Sequence, residues 1–366
     1  MLTRLMKYRI RNIEPYQYKE ALEEMYAEWK EFDAICNAEF LPAFEDTSDD
    51  SNNGNDNKND NDNDNKSNDN NTPNNSLKNA NANKSFRDKL KAMGEAIANL
   101  VSKIVGWFGE MFGKLNVKDD EFLKRLDRAK ANNSNIQDVT VTTYLYKAPT
   151  INTSVTKIDQ QFQQVSSALE AMFDAYDDAA GMEKASDDEI VGKMNFSSTA
   201  LGKVLDNDKC DIKADYYKQL FGDCGMSNFE ETTEAEGFVK QWEANARGKK
   251  MDKDKDNGLQ LTSAEGKSWV ESCENYLRGG IANTVGILKN GITHIQNAQK
   301  STGAKISAAI RGEVRTQKAN ERMQNILNGY NKYLAFVAMF YKTAYKLAVE
   351  ARDNYKLVLQ AAYKFS

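Results

Sequence analysis

Apolar residues recur along most of this chain at alternating steps of three and four, the spacing that gathers side chains on one face of an α-helix. The first run is Tyr18, Leu22, Met25, Trp29, Phe32, Cys36 and Phe40. Glu14 and Pro15 suit a helix start, because proline is tolerated in the first turn, and Pro42 suits the end. The second run is Phe86, Leu90, Met93, Ile97, Leu100, Ile104, Trp107, Met111 and Leu115. Ser85 takes the N-cap position, with Asp88 three residues later where a capping-box acid sits. Beside this heptad stripe, Gly94, Ala98, Ser102 and Gly106 step by four, a row that lets another helix backbone come close. A short helix over Asp119–Ala131 follows.

Further on, Ile158, Phe162, Val165, Leu169, Met172/Phe173 and Tyr176 form another stripe, with shorter helices expected over Ser186–Lys193, Ala214–Phe221 and Glu234–Ala246. Ser263–Lys300 reads as helix with Gly279 and Gly280 as an interruption. The last helix is expected from about Ala308 to Tyr363. One of its rows runs Met323, Ile326, Tyr330, Tyr333, Val337, Phe340, Ala344, Leu347, Ala351 and Val358. The other is Leu327, Leu334, Tyr341, Ala348, Tyr355 and Ala362. So broad an apolar face belongs in a bundle rather than a two-stranded coil. Only Val139–Tyr146, "VTVTTYLY", has the β-branched and aromatic content of a strand, and no second clear strand offers to pair with it.

Between the first two helices the pattern vanishes. Ser51–Ser76 reads "SNNGNDNKNDNDNDNKSNDNNTPNNS". Asn and Asp favour local side-chain to backbone bonds, and nothing apolar offsets the entropy of ordering them. Residues 45–84 are therefore expected to be a disordered tether, with an end-to-end distance on the order of 35 Å. The predicted organisation is an N-terminal amphipathic helix over 1–44, the linker over 45–84 and a helical body over 85–366. Within the body lie a heptad helix pair at 85–131, a β-like segment at 136–150 and an acidic helical region with the long C-terminal helix at 154–366. The predicted fold class is mainly α, an elongated helical bundle with one short β element.

Charge adds a polarity to this plan. The whole 366-residue chain carries −5. Ile158–Lys240 holds 18 Asp+Glu and 7 Lys, whereas Ser301–Ser366 holds 11 Lys+Arg and 4 Asp+Glu. These regions are complementary, within one chain or between chains. Arg311, Arg315, Lys318, Arg322 and Lys332 read as a solvated helix face, and the acidic total argues against a dedicated DNA binder.

The chemistry-bearing residues are few. His294 is the single histidine, which removes most imidazole-based metal and acid–base sites, and it reads as a polar residue on a helix surface. Cys36, Cys210, Cys224 and Cys273 form no C-x-x-C pair and no zinc spacing. Asp252–Asn257, "DKDKDN", resembles the start of an EF-hand loop, but Asn257 sits where the turn needs glycine, and Gly258 comes one residue late. It reads as a hydrophilic turn, with Asp252, Asp254 and Asp256 as a weak cation site in the minor reading. Asp177/Asp178 and Asp187/Asp188 read as solvating charge. There is no P-loop, no G-x-S-x-G and no G-x-G-x-x-G. No signal peptide is expected, no run reaches the roughly 18 apolar residues of a membrane span, and no cofactor is implied.

Several segments also carry a family likeness. "SFRDKLKAMGEAIANLVSKIVGWFGEMFGKL" leads into "DDEFLKRLDRAKANNSNIQDVTVTTYLYKAP", then "ADYYKQLFGD" and a closing "MQNILNGYNKYLAFVAMFYKTAYKLAVEARDNYKLVLQAAYKF". In order and character, over about Ser85–Ser366, this resembles virion structural proteins of large tailed phages of low-GC Gram-positive bacteria. The resemblance implies a non-enzymatic, capsid-internal or particle-associated protein, found in the virion and in host cytoplasm during assembly. Its partners would be other virion proteins, with self-association and no sequence-specific nucleic acid. The likeness does not extend to the Met1–Phe44 helix; from their apolar spacing, the helix stripes are expected to carry partner binding, through Leu22, Met25, Trp29 and Phe32 on that helix and Leu90, Ile97, Leu100, Ile104 and Trp107 on the next. The alternative is a membrane-active protein, ejected or pore-associated, using the glycine-rich helix 85–115. Trp107, Phe108 and Phe112 cluster at one end of that helix and lysines line its other face.

Overall fold

The computed structural model describes residues 73–115, 119–179, 182, 185–227, 230–312 and 316–365. The Met1–Phe44 helix, with Leu22, Met25, Trp29 and Phe32, lies outside the described residues, as does most of the linker. The described chain is mainly α. Its elements run α1 Pro73–Leu115, α2 Asp119–Asn132, β1 Thr140–Val141, β2 Thr143–Tyr144 and α3 Ala148–Asp178. Then come α4 Asp187–Lys193, α5 Ala200–Val204, α6 Tyr216–Asp223, α7 Ala235–Arg247, β3 Lys250–Met251 and β4 Leu259–Gln260. The chain closes with α8 Ala264–Asn275, a π-turn Tyr276–Gly280, α9 Ile281–Arg311 and α10 Gln317–Tyr363.

The core is built around α10. Every residue of its two predicted apolar rows is buried, and so is Phe336 between them. This broad face exists because α10 has neighbours on several sides: α3 and α9, then α7 and α8, with α1, α2 and α4 completing the shell. Phe336 sits among Tyr216, Tyr217, Phe238, Tyr333 and Phe340, with ring centroids 5.3–6.3 Å apart. The stripe of α3 is buried from Ile158 to Tyr176, as its spacing requires.

Helix α1 and helix α9 form an antiparallel pair. Gly94 faces Ile306, Arg87 Nη2 donates to the Gly312 carbonyl at 3.1 Å, and Lys289 lies over the Phe112 ring at the other end. The core face of α1 follows the heptad until Trp107, where Phe108 turns inward and Trp107 stays half-buried. The small-residue row beside that stripe does not serve a close helix crossing along its length. A Cβ on Gly94 would touch only Ile306 at ordinary distance, and one on Gly106 would meet open space. The expected close approach is therefore corrected: the row rotates out of the seam, because α9 packs on the larger side chains.

Four features depart from the expected ones. Helix α1 starts at Pro73, so Ser85 is interior and the linker ends sooner. Proline needs no N–H partner in a first helical turn, and elongation from an established helix is favourable. The long C-terminal helix does not begin at Ala308. Helix α9 stops at Arg311 before Gly312, and α10 restarts where the Thr316 hydroxyl caps Ala319 N–H at 3.2 Å. Gly279 and Gly280 do not interrupt the helix but widen it into one π-turn, with Gly280 against the Tyr276 ring. The strand does find partners: Thr140 and Val141 pair with Gln260 and Leu259, and Thr143 and Tyr144 with Met251 and Lys250. The ribbon is antiparallel throughout, and the "DKDKDNG" segment is looped out of its second strand opposite Thr142. Gly258 closes that loop, since a side chain there would run into Thr140 Cγ2 and, at 2.8 Å, the Lys253 backbone.

Helix α2 is fastened to α10 by charge. Arg352 Nε donates to both oxygens of Asp119 at 2.9 and 3.0 Å, and Lys356 Nζ reaches the same carboxylate at 2.6 Å. Partial burial works against ionisation, but Arg352 and Lys356 together hold the Asp119 carboxyl below its ordinary range. A depressed carboxyl stabilises the fold above its unfolded pKa and loses that contribution as pH falls through the folded value. The urea midpoint of wild type should therefore exceed that of Asp119→Asn at pH 7. The gap should close on acidification below about pH 4. A gap independent of pH would mean the carboxylate charge is not what fastens α2.

Candidate functional site

Side-chain chemistry gathers at four places, each between helices. The first holds the single histidine. His294 on α9 points its Nδ1 at both oxygens of Asp159 on α3, 3.0 Å from each. Tyr341 of α10 donates its hydroxyl to Asp159 Oδ1 at 3.0 Å, and Gln163 Nε2 donates to Oδ2 at 3.1 Å. Asp159 is 8% exposed. Burial first, then the adjacent carboxylate, pushes the Tyr341 hydroxyl well above its ordinary pKa, so it stays a donor. Gly291 leaves the room that the Tyr341 ring occupies, with its hydroxyl oxygen only 2.8 Å from where a Cβ would stand. His294 is thus not a plain surface residue, which corrects the expectation. It is one of three donors fixing a buried carboxylate where α3, α9 and α10 meet. A carboxylate-oriented imidazole can act as a base toward a hydroxyl or thiol. Among the described residues, no Ser, Thr or Cys bonds the ring.

The second place is a buried arginine. Arg322 was expected on a solvated face of the last helix, yet it is 6% exposed. Its Nη2 donates to Asn207 Oδ1 at 2.8 Å and to the Met194 carbonyl at 3.5 Å, while Nη1 reaches the Asn207 carbonyl and Cys210 Sγ. The Phe196 ring lies 5.0 Å from its guanidinium. This arginine ties the loops around α5 to α10. Cys210 is held at φ +58 in that loop. Burial outweighs Arg322 and pushes its thiol up to about 11. Cys224 is raised to about 11 by burial as well, and Cys273 higher still. All three are buried free thiols, so they are poor nucleophiles at neutral pH.

The third is an ion network between α7 and α10. Arg247 Nη2 bonds Glu243 Oε1 at 2.7 Å and Glu350 Oε2 at 2.9 Å, and Lys346 Nζ bonds Glu243 at 3.1 Å. Burial lowers the Arg247 pKa, but the two carboxylates outweigh it and secure the charge. Charge complementarity between the acidic middle and the basic end is thus met in part inside the chain, here and through Lys305–Asp174 and Lys332–Asp211.

The fourth is the aromatic end of α1. Trp107, Phe108 and Phe112 all lie against Tyr345, with centroids 5.8, 6.2 and 5.9 Å away. Tyr345 donates its hydroxyl to the Met111 carbonyl at 2.8 Å, and Lys342 Nζ lies 5.3 Å from the Trp107 ring centre. Leu90, Ile97, Leu100 and Ile104 are buried in the chain's own seam with α9 and α10, and Trp107 alone of that set stays half-exposed. Sequence reasoning missed the buried positions of Asp159 and Arg322. Asp159 offered one signal, since it directly follows Ile158 in the stripe.

The acidic loop does not form a cation cage. Asp252 accepts from Asp254 N–H at 3.2 Å and pairs with Lys250 at 3.3 Å. Among the described residues, no three His, Cys, Asp or Glu side chains converge to hold a metal. No helix there is long and apolar enough to cross a membrane. No family model, no curated protein and no solved structure matches this chain.

Proposed function

We propose that this chain is a non-enzymatic virion structural protein of a tailed phage, carried inside or on the capsid and assembled through its helices. The supporting observation is where the buried polar groups go. The Asp159, Arg322, Glu350 and Asp119 clusters each join helices or loops that are distant in sequence. They hold a scaffold together rather than surround a common point where a substrate would be worked on. The family likeness of the segments from Ser85 onward supplies the phage context. In this reading the Leu22/Met25/Trp29/Phe32 stripe docks to another virion protein, and the Asn/Asp-rich tether lets many copies dock at once.

Deleting Met1–Lys84 should abolish incorporation into particles while the body still melts as a folded unit by circular dichroism. Mass spectrometry of purified particles is the readout. Normal incorporation of the truncated chain would remove the docking role, and absence of the full chain from particles would remove the virion assignment.

The half-exposed Trp107 keeps a membrane-active reading in play. In the body, though, Tyr345 covers the neighbouring rings, so membrane insertion of α1 requires Leu90, Ile97, Leu100 and Ile104 to leave their seam. Leakage from anionic vesicles by the full chain, lost in Trp107→Ala, would favour that reading.

A further inference from the structure

Helix α9 contains no acidic residue in its 31 positions and four basic ones, Lys289, Lys300, Lys305 and Arg311. Lys305 pairs with the exposed Asp174 on α3. The other three repeat at intervals of eleven residues. Eleven residues are just over three full turns, so the three positions form one row along the helix, about 16 Å apart. All three residues are exposed. Lys289 rests over the Phe112 ring, and Arg311 Nε donates to the Ser307 carbonyl at 3.2 Å. Among the described residues, none of the three has a carboxylate within ion-pair distance. The companion helix α1, which packs on α9, carries Arg87, Lys89, Lys91 and Lys103 against Asp88, Glu95 and Glu110 among its described side chains.

The acidic counterpart belongs to other elements. Residues 186–247 hold 13 Asp+Glu against 7 Lys+Arg. Asp187, Asp188, Asp208, Asp223 and Glu234 are exposed there. Helices α4–α7 reach the rest of the body through α10 and α3. Neither α1 nor α9 packs extensively on α4–α7. The body is therefore charge-polarised, with a basic α1/α9 side and an acidic α4–α7 side that do not neutralise each other within one chain.

We infer that the Lys289/Lys300/Arg311 row is a docking surface for a second copy of this chain, which presents its acidic α4–α7 side. A nucleic acid fits the row less well. Three cations neutralise few phosphates, and a chain of net charge −5 repels a polyanion overall. Because the two surfaces differ, the contact is heterologous. It repeats head to tail and yields a ring or an open array rather than a closed two-fold dimer. The inference gives a surface to the self-association in the proposed function but does not need the virion assignment, since purified protein tests it.

The test is sedimentation velocity of the full chain at about 0.05 M and about 0.5 M salt, concentrations that span strong and weak screening. The weight-average sedimentation coefficient should rise with protein concentration at low salt and return to the monomer value at high salt. The triple variant Lys289→Glu, Lys300→Glu, Arg311→Glu should stay monomeric at low salt while keeping its melting curve. The variant Asp187→Lys, Asp188→Lys, Glu234→Lys should also be monomeric alone, and mixing the two variants should restore association. A wild-type chain that is monomeric at low salt up to its solubility limit overturns the inference. So does association that survives the triple reversal. Row-dependent binding to DNA or anionic vesicles without self-association overturns it as well, by assigning the row to another partner.

Discussion

Replacing Trp242 by alanine is expected to destabilise the body by about 3–5 kcal/mol, the range for removing a large aromatic from a closed core. Trp242 is fully buried on α7, with its ring centroid 4.2 Å from that of Phe340 on α10. Its indole N–H donates to Ser154 Oγ on α3 at 3.0 Å. One side chain thus links three helices, and its loss leaves a cavity against Phe340 and removes the indole donor from the buried Ser154 hydroxyl. The alternative Trp242→Phe keeps most of the ring contact and loses the hydrogen bond, so a smaller loss of about 1–2 kcal/mol is expected. Urea unfolding followed by circular dichroism reads both. The midpoint should fall in the order wild type, phenylalanine, alanine, with an unchanged slope. A midpoint for the alanine variant within about 1 kcal/mol of wild type would show that α7 is not part of the cooperative core.

The helical rows were open to a sequence reading, and the contacts between distant segments were not. The two rows of α10 and the stripe of α3 were readable because a 3.6-residue period maps directly onto one buried face. The same logic failed at Trp107, where a one-position drift of the seam exchanges Trp107 for Phe108. Periodicity carries no term for which neighbour a helix meets. The strand partners were hidden because Lys250–Met251 and Leu259–Gln260 are two-residue strands that flank a charged loop, too short to show alternation. Arg322 read as surface charge because ionisable residues normally are, and Asp159 stood out only as part of the acidic middle. Their burial depends on Tyr341, His294 and Asn207, which lie more than 100 residues away in the chain. The start of α10 could have been placed from the Gly312 break and the Thr316 cap. The expected start at Ala308 instead ran one helix through both. The partner-binding roles of Leu22, Met25, Trp29 and Phe32 fall outside the described residues.

Two glycine-to-alanine substitutions, both in long helices, should move stability in opposite directions. In an open helical position alanine is favoured over glycine by about 0.5–1 kcal/mol, because glycine loses more backbone entropy on folding. Gly106 on α1 is exposed, and a Cβ there meets nothing within 4 Å. Gly106→Ala should therefore raise the urea midpoint by that amount. Gly329 on α10 offers the same entropy gain in an opposed setting. A Cβ there would run into the Cys210 carbonyl oxygen and stand 2.8 Å from Leu205 Cδ1. The Cys210 loop cannot retreat freely. Cys210 N–H donates to the Asp206 carbonyl, Asp206 N–H to the Asp211 carbonyl, and Arg322 grips Asn207 from α10. Overpacking against a held backbone outweighs the propensity gain, and Gly329→Ala should lose about 1–3 kcal/mol net. If alanine at 329 raised the midpoint as it does at 106, the loop would have to be far softer than its hydrogen bonds imply. Arg322→Met in the same background separates the two effects. It removes the grip on Asn207, so the loop can yield, and the penalty of alanine at 329 should shrink measurably in that double variant relative to Arg322→Met alone.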